Sequence, residues 1–324
     1  LAADTSAAAG SWEDRLKGEA PPALKHLASS LGMVAGSVSR VREWRSSDPA
    51  KYGPNYSSRS VTRFWLATTG AKAEADAYDQ SGKWVSRTVS CANPIYGYMA
   101  RENVEGGPYV LTDYGHDATF MDKARTYAIN DNERWLRSAY QLPGDIRNLG
   151  EAMAANDFSV VSCGVVTEGS KQLVKANVAF NPTGWWAKGD AARRRAEVLF
   201  DPSAGWRIVH SVTHDRAWRI EDSVTYALGS AEPAAVATVT RRCFSDDGKA
   251  TDTYAVEFTS LSSGDTPSAE FYLPAIGLPE VASEGSRRLW GMILIAGTLL
   301  AAALFLFLLY RRDSRRRTRG QAST

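Results

Sequence analysis

The chain has 324 residues, 44% hydrophobic and 23% charged, which is ample for a sizeable core and excludes a disordered or collagen-like chain. Its formal charge of +2 conceals an asymmetry: eight Arg and one Asp lie from Arg287 onward, so residues 1–286 carry 30 basic and 35 acidic groups, a balance of −5. A basic nucleic-acid footprint is therefore excluded from the globular part, and no nucleic-acid partner is expected.

The opening "LAADTSAAAG" begins with Leu and resembles what a removed signal peptide leaves behind. Residues 1–20 are expected to lack order. If Leu1 were a true start, the chain would be tail-anchored and its topology inverted. "PPALKHLASSL" then reads as a helix, with prolines in its first turn and Leu24, Leu27, Ala28 and Leu31 in one stripe. From Val34 to Leu111 the segments "SVTRFWLA", "AKAEADAY", "KWVSRTVSC" and "PYVLT" read as strands, separated by turn signals.

Between Asp117 and Asn156 the period becomes helical. Asp131 is expected to cap a helix carrying Trp135, Leu136 and Ala139 and ended by Pro143-Gly144, and Asp145 a second one carrying Ile146, Leu149, Ala152 and Met153. Strands resume after Asn156 and run to about Leu273. In "LVKANVAF", "IEDSVTYAL" and "YAVEF" apolar and polar residues alternate, as in antiparallel strands with one wet face. The predicted class is α+β: a curled antiparallel sheet of about ten strands, a half-barrel with helical cover. A two-sheet sandwich with its helices at one end is the competing layout.

Beyond a polar linker at residues 279–288, "LWGMILIAGTLLAAALFLFLLY" (residues 289–310) has no charge and no proline. Its 22 residues would span ~30 Å of hydrocarbon as a helix. Trp290 and Tyr310 flank it, and the tail at residues 311–324 opens on "RRDSRRRTR". The expectation is a single-pass anchor with a cytoplasmic C-terminus and residues 21–278 as an extracytoplasmic domain, periplasmic or at the cell surface.

Catalytic signals are weak. His210 and His214 in "WRIVHSVTH" share a strand face, ~13 Å apart at ~3.3 Å per residue, too far to hold one metal ion. His116 in "YGHDATF" belongs to a helix start. No Gly-x-Ser-x-Gly elbow, His-Glu-x-x-His pair or phosphate-binding glycine loop occurs, so no enzyme, metal or cofactor is expected. Of three cysteines, Cys163 reads as a buried thiol, and one bridge between Cys91 and Cys243 is open to an oxidising compartment. "LPAIG" (residues 273–277) departs from a sortase signal in having Ile276 where the acyl-donor threonine would stand, and reads better as a strand terminus.

Two stretches are candidate binding elements. "AKAEADAY" places Ala71, Ala73, Ala75 and Ala77 on one strand face, either as a floor that leaves room for an acyl chain or as small residues beneath a large neighbour. "NPTGWWAKGD" places Trp185 and Trp186 in a loop, as a binding rim or as the packed end of a hairpin.

The order of helix, meander, helical plug and second meander resembles the LolA/LolB lipoprotein-carrier fold, to which RseB is also similar. "CANPIYGY" (residues 91–98), "LFDPSAGWRIV" (199–209) and "FYLPAIGLPE" (271–280) look like motifs of an uncharacterised group of bacterial secreted, C-terminally anchored proteins. The resemblance implies an unclosed barrel holding acyl chains against its concave face, with the helices as a lid. A fixed anchor departs from the soluble carriers and favours a tethered binding protein. The expected function is non-enzymatic binding of a lipid, a lipoprotein or an envelope protein partner. The alternative is an interaction module whose sheet is filled by its own side chains.

Overall fold

The computed structural model describes residues 6–143, 145, 147–181, 194–215, 218–227, 236–263 and 266–280. The chain divides into two units, Leu1–Gly277 and Leu278–Thr324, and the first contains every described helix and strand. The candidate membrane span, the arginine tail, and Trp185 and Trp186 lie outside the described residues.

Thirteen strands form one antiparallel sheet. The first half comprises β1 (Val34–Ser46), β2 (Tyr56–Ala67), β3 (Gly70–Tyr78), β4 (Trp84–Ala92), β5 (Gly97–Glu102) and β6 (Val110–Gly115). The second comprises β7 (Ser159–Glu168), β8 (Lys171–Phe180), β9 (Arg194–Asp201), β10 (Arg207–Asp215), β11 (Trp218–Tyr226), β12 (Val236–Ser245) and β13 (Ala250–Ser263). Each half is a meander, and the two join where β1 pairs with β13. The spatial order runs from β6 through β1 and β13 to β7, so the strands flanking the helical insert are the two edges.

The insert is α3 (Ala118–Arg137) and α4 (Leu149–Met153); α1 (Ser6–Leu31) precedes the sheet and the single turn α2 (Pro49–Tyr52) follows β1. α3 packs on β2 to β6, while α1 packs on β7, β10 and α4. Just past the end of α3, the Ala139 carbonyl accepts a hydrogen bond from Ile208 N in β10. From β6 to β10 is nine inter-strand steps, ~43 Å along a flat sheet at ~4.8 Å each. A helix of 20 residues is only ~30 Å long. The sheet therefore bends round the helix, which answers the sandwich alternative.

The helices start elsewhere than the sequence predicts. Residues 6–20 are helical, not disordered: Leu16 and Ala20 are fully buried and continue the stripe Leu24, Leu27, Leu31 at spacings of three and four. Pro21 and Pro22 thus lie inside α1. A bulkier neighbour could not approach there, since a Cβ on Gly150 of α4 would come within 2.5 Å of the Pro21 carbonyl. α3 is capped by Asp117, whose side chain accepts from Phe120 N, and Asp131 lies within the helix. α4 is capped by Asn148, while Asp145 pairs with Arg147.

"LPAIG" is a 3-10 turn, Leu273–Ile276, not a strand terminus, because β13 ends at Ser263. With the preceding turn Ser268–Phe271 it straps the outer face of the sheet. The cysteines are free. Cys91 lies beneath that strap, whereas Cys243 shares the face of the inner core, five strand steps away, so the two cannot bridge.

Candidate functional site

Strand register decides which residues share the inner face. Ala71, Ala73, Ala75 and Ala77 stand opposite Ala92, Ser90, Thr88 and Ser86 of β4. Gly97 of β5 and Gly115 of β6 extend the same surface. The alanine face is thus one strip of a broader floor built from small residues across four strands.

α3 meets this floor with small residues of its own. Ala124 and Ala128 are fully buried, and a Cβ on Gly97 would stand 2.8 Å from that of Ala124. One on Gly115 would stand 2.8 Å from the Phe120 ring. Close approach of backbones is what the glycines permit. Ala71 and Ala73 lie in the core shared with Phe64 and Trp135. Ala75 is half-buried and Ala77 and Thr88 are exposed, while Ser86, opposite Ala77, is buried, so this end of the floor is covered only in part.

The far end of α3 is held differently. Trp135 is buried, its ring centroid 5.1 Å from that of Tyr254 and 5.1 Å from the Arg241 guanidinium. Arg241 donates to both carboxylate oxygens of Asp222 at 2.6 Å, and Ser138 Oγ, at the end of α3, donates to Asp222 Oδ2 at 3.0 Å. Next along the face, Arg42 makes a bidentate pair with Asp252, which also accepts from the Tyr254 hydroxyl. Burial pushes the Tyr254 phenol above its usual range and Cys243 up to about 11. Ser211 Oγ, Thr213 Oγ1 and Trp135 Nε1 are buried with no hydrogen-bond partner among the described residues.

Past Arg42 the inner face ends in four half-buried rings. Trp44 stacks on Tyr56 at 6.4 Å and tilts on Trp218 at 6.0 Å, and Tyr52 meets Trp218 edge-on. The β1–β2 hairpin pairs Trp44 with Tyr56 and holds Tyr52 in its connection, and the seam between β1 and β13 brings Trp218 to them. Two open depressions flank the covering helices. One of about 500 Å³ is lined by Lys25, Arg137, Tyr140 and Glu151, among others. One of about 340 Å³ lies at the start of α3, beside Asn93, His116, Met121 and Arg125.

His116 bonds the Tyr114 hydroxyl and the Ile95 carbonyl, and His210 bonds Ser223 Oγ. His210 and His214 both lie on β10, on one face of the strand with Val212 between them on that face. The three quoted motifs turn out to be packing devices. Asn93 donates to the Phe271 carbonyl and the Tyr96 hydroxyl accepts from Leu273 N, so "CANPIYGY" and "FYLPAIGLPE" seat one another. In "LFDPSAGWRIV" Asp201 caps a tight turn whose Trp206, at φ 61°, is buried and donates to Glu19 of α1.

No protein-family model matches the chain, and no curated protein matches it. Among solved structures it is similar to a LolA superfamily protein from Nitrosomonas europaea, at 7% identity and a TM-score of 0.39, over 79% of this chain and 99% of that one. It is similar to a DUF1329 family protein from Desulfovibrio piger, at 11% identity and a TM-score of 0.38, over 80% of this chain and 99% of that one. A third is the lipoprotein LppX of Mycobacterium tuberculosis, at 10% identity and a TM-score of 0.23, over 76% and 98%. These are likenesses of structure at low identity.

Proposed function

We propose that the domain is a non-enzymatic, extracytoplasmic binding module for an acyl-bearing ligand, a lipid or a lipoprotein, held to the membrane by residues 289–310. One observation carries the ligand reading: α3 meets a floor of small residues with Ala124 and Ala128, beside the Phe120 ring over Gly115, and leaves Ala75, Ala77 and Thr88 partly or fully uncovered. Small-on-small contact buries little apolar area, at about 0.8 kcal/mol per CH₂. The first half of α3 is therefore easy to lift, while Trp135 and Ser138 hold its far end as a hinge. An acyl chain entering along the exposed end would replace the alanine contacts of α3 with its own. The anchor reading rests on the uncharged 22-residue span and the arginines after it.

A second reading, an interaction module for an envelope protein with a fully packed sheet, is favoured by the burial of Ala71 and Ala73 in the common core. The test that separates them is native mass spectrometry of the full chain purified from its own envelope, with lipid extraction. Co-purifying acyl lipid, lost on Ala75→Leu with Ala77→Leu, supports the binding floor. A ligand-free chain whose unfolding midpoint is lowered by the two leucines supports the packed module.

A further inference from the structure

Positive charge collects on the inner face where the alanine floor runs out. Ala77 pairs with Ser60 and Ser60 with Arg40, so Arg40 stands two strands, about 10 Å, from the partly covered end of the floor. Arg40 donates to Ser60 Oγ, and Arg42 follows two residues on along the same face. Arg42 lies 5.0 Å from the Tyr254 ring, which meets Trp135 of α3. Beside Trp135 in sequence, Arg134 stands 5.4 Å from the ring that Arg241 approaches to 5.1 Å. The carboxylates here are already occupied: Asp222 by Arg241 and Ser138, Asp252 by Arg42 and Tyr254. Arg134 has no carboxylate partner among the described residues. Solvent reaches its side chain, yet the charge faces the sheet. Desolvation, and next the like charge of Arg241, hold its pKa below the usual arginine range. Trp135 adds a buried N–H with no acceptor among the described residues.

We propose that Arg134, with Arg42 beside it, recognises the head of the ligand, and that this head is a phosphate bearing net negative charge on acyl chains. The proposal rests on the acyl-binding reading above and names the class of lipid. Each guanidinium has five N–H donors. The pair with Asp252 takes two from Arg42, which is 34% exposed, and none of those on Arg134 is taken by a carboxylate. A guanidinium lying over an aromatic ring keeps its N–H edge free for a planar or tetrahedral anion. A zwitterionic head would bring its own cation to a place already in positive excess. A net-negative head supplies the charge that the two carboxylates do not. Acyl chains over Ala75 and Ala77 leave the head within reach of Arg40, Arg42 and Arg134.

The test is native mass spectrometry of the full chain in detergent, titrated with dipalmitoyl phosphatidylglycerol or dipalmitoyl phosphatidylcholine. The two probes share their acyl chains and differ in net charge. Phosphatidylglycerol should bind about tenfold more tightly, the worth of one charge-assisted contact. Arg134→Gln should abolish that preference without weakening phosphatidylcholine, and Arg134→Lys should keep part of it. The arginines after residue 310 also attract anionic lipid, but they are the same in every variant. An unchanged urea midpoint in Arg134→Gln shows that the fold is intact. A preference that survives Arg134→Gln overturns the proposal. Displacement of phosphatidylglycerol by an equal concentration of inorganic phosphate also overturns it, because the site would then take the free anion. Equal binding of both lipids, lost on Ala75→Leu with Ala77→Leu, overturns the head-group proposal and leaves the acyl reading standing. Binding of neither lipid removes both.

Discussion

Gly97 and Ala124 face each other so closely that a side-chain carbon added to the glycine would sit 2.8 Å from the alanine methyl. The contact fixes how near α3 rides to the sheet, and it has a measurable consequence. Gly97→Val must push the helix outward, and overpacking of this kind costs about 1–3 kcal/mol. Urea unfolding should show that loss. Hydrogen exchange should localise it to residues 118–128, with α1 unaffected. Equal loosening of α1 would mean that the helices cover the sheet as one unit.

The Asp222–Arg241 pair closes the other end of α3. Both side chains are buried, at 1% and 8% exposure, and together they satisfy Ser138. Asp222→Ala leaves a buried guanidinium without its carboxylate and should cost about 3–5 kcal/mol. Asp222→Leu combined with Arg241→Met removes both charges and should recover most of that loss. Denaturant midpoints of the single and double variants decide it; a double variant as unstable as the single would place the cost in packing.

Burial raises the Cys91 thiol from 9.0 to about 12. A thiol with a higher pKa folded than unfolded keeps its proton longer in the native state. Its stabilisation is complete below about pH 9 and is lost as pH rises toward 12. Stability should therefore fall across that alkaline window, and Cys91→Ala should flatten the slope whatever it does to the neutral-pH value. A slope unchanged by the substitution would assign the alkaline loss to other groups, such as Cys243.

Phe271 holds the strap over Cys91: its ring lies against Gly70, and its carbonyl accepts from Asn93. Phe271→Ala should cost about 3–5 kcal/mol. More tellingly, it should open Cys91 to alkylation under conditions where the wild-type thiol does not react. Continued protection of Cys91 would show that Leu273 and Ile276 suffice to keep the strap down.

Much of this architecture can be read from the sequence, and the misses have physical causes. The period of two in "AKAEADAY" locates β3 and its dry face, because alternation survives whatever packs on it. The same alternation in "WVSRTVSCA" holds the other half of the floor, but Ser86, Thr88 and Ser90 look wet to a reading based on hydrophobicity. Small size and low polarity are different properties, and only the first matters beneath a close helix. The start of α3 is obscured by "TFMDKARTYAINDNE", where charged residues dilute the apolar stripe and the buried positions are alanines. The prolines of α1 mislead because a helix start is their commonest place, and only tertiary packing shows them mid-helix. In the aromatic group, Trp44 and Tyr56 are neighbours in one hairpin, but Trp218 joins them only because the first and last strands meet.

That meeting of β1 and β13 also governs how the domain comes into being. Its thirteen paired positions join residues more than two hundred apart in sequence, from Val34 with Ser263 to Ser46 with Ala250. Loop closure over such a distance is paid before any seam contact forms, which places the fold among slow, high-contact-order topologies. While the chain is being made, the first meander and α3 emerge with β1 still lacking a neighbour on one side. For most of synthesis the growing chain therefore carries an unsatisfied edge in what will be the middle of its sheet. The last strand to appear completes the centre of the sheet, and until it does the two halves are separate hairpin arrays exposed to mispairing.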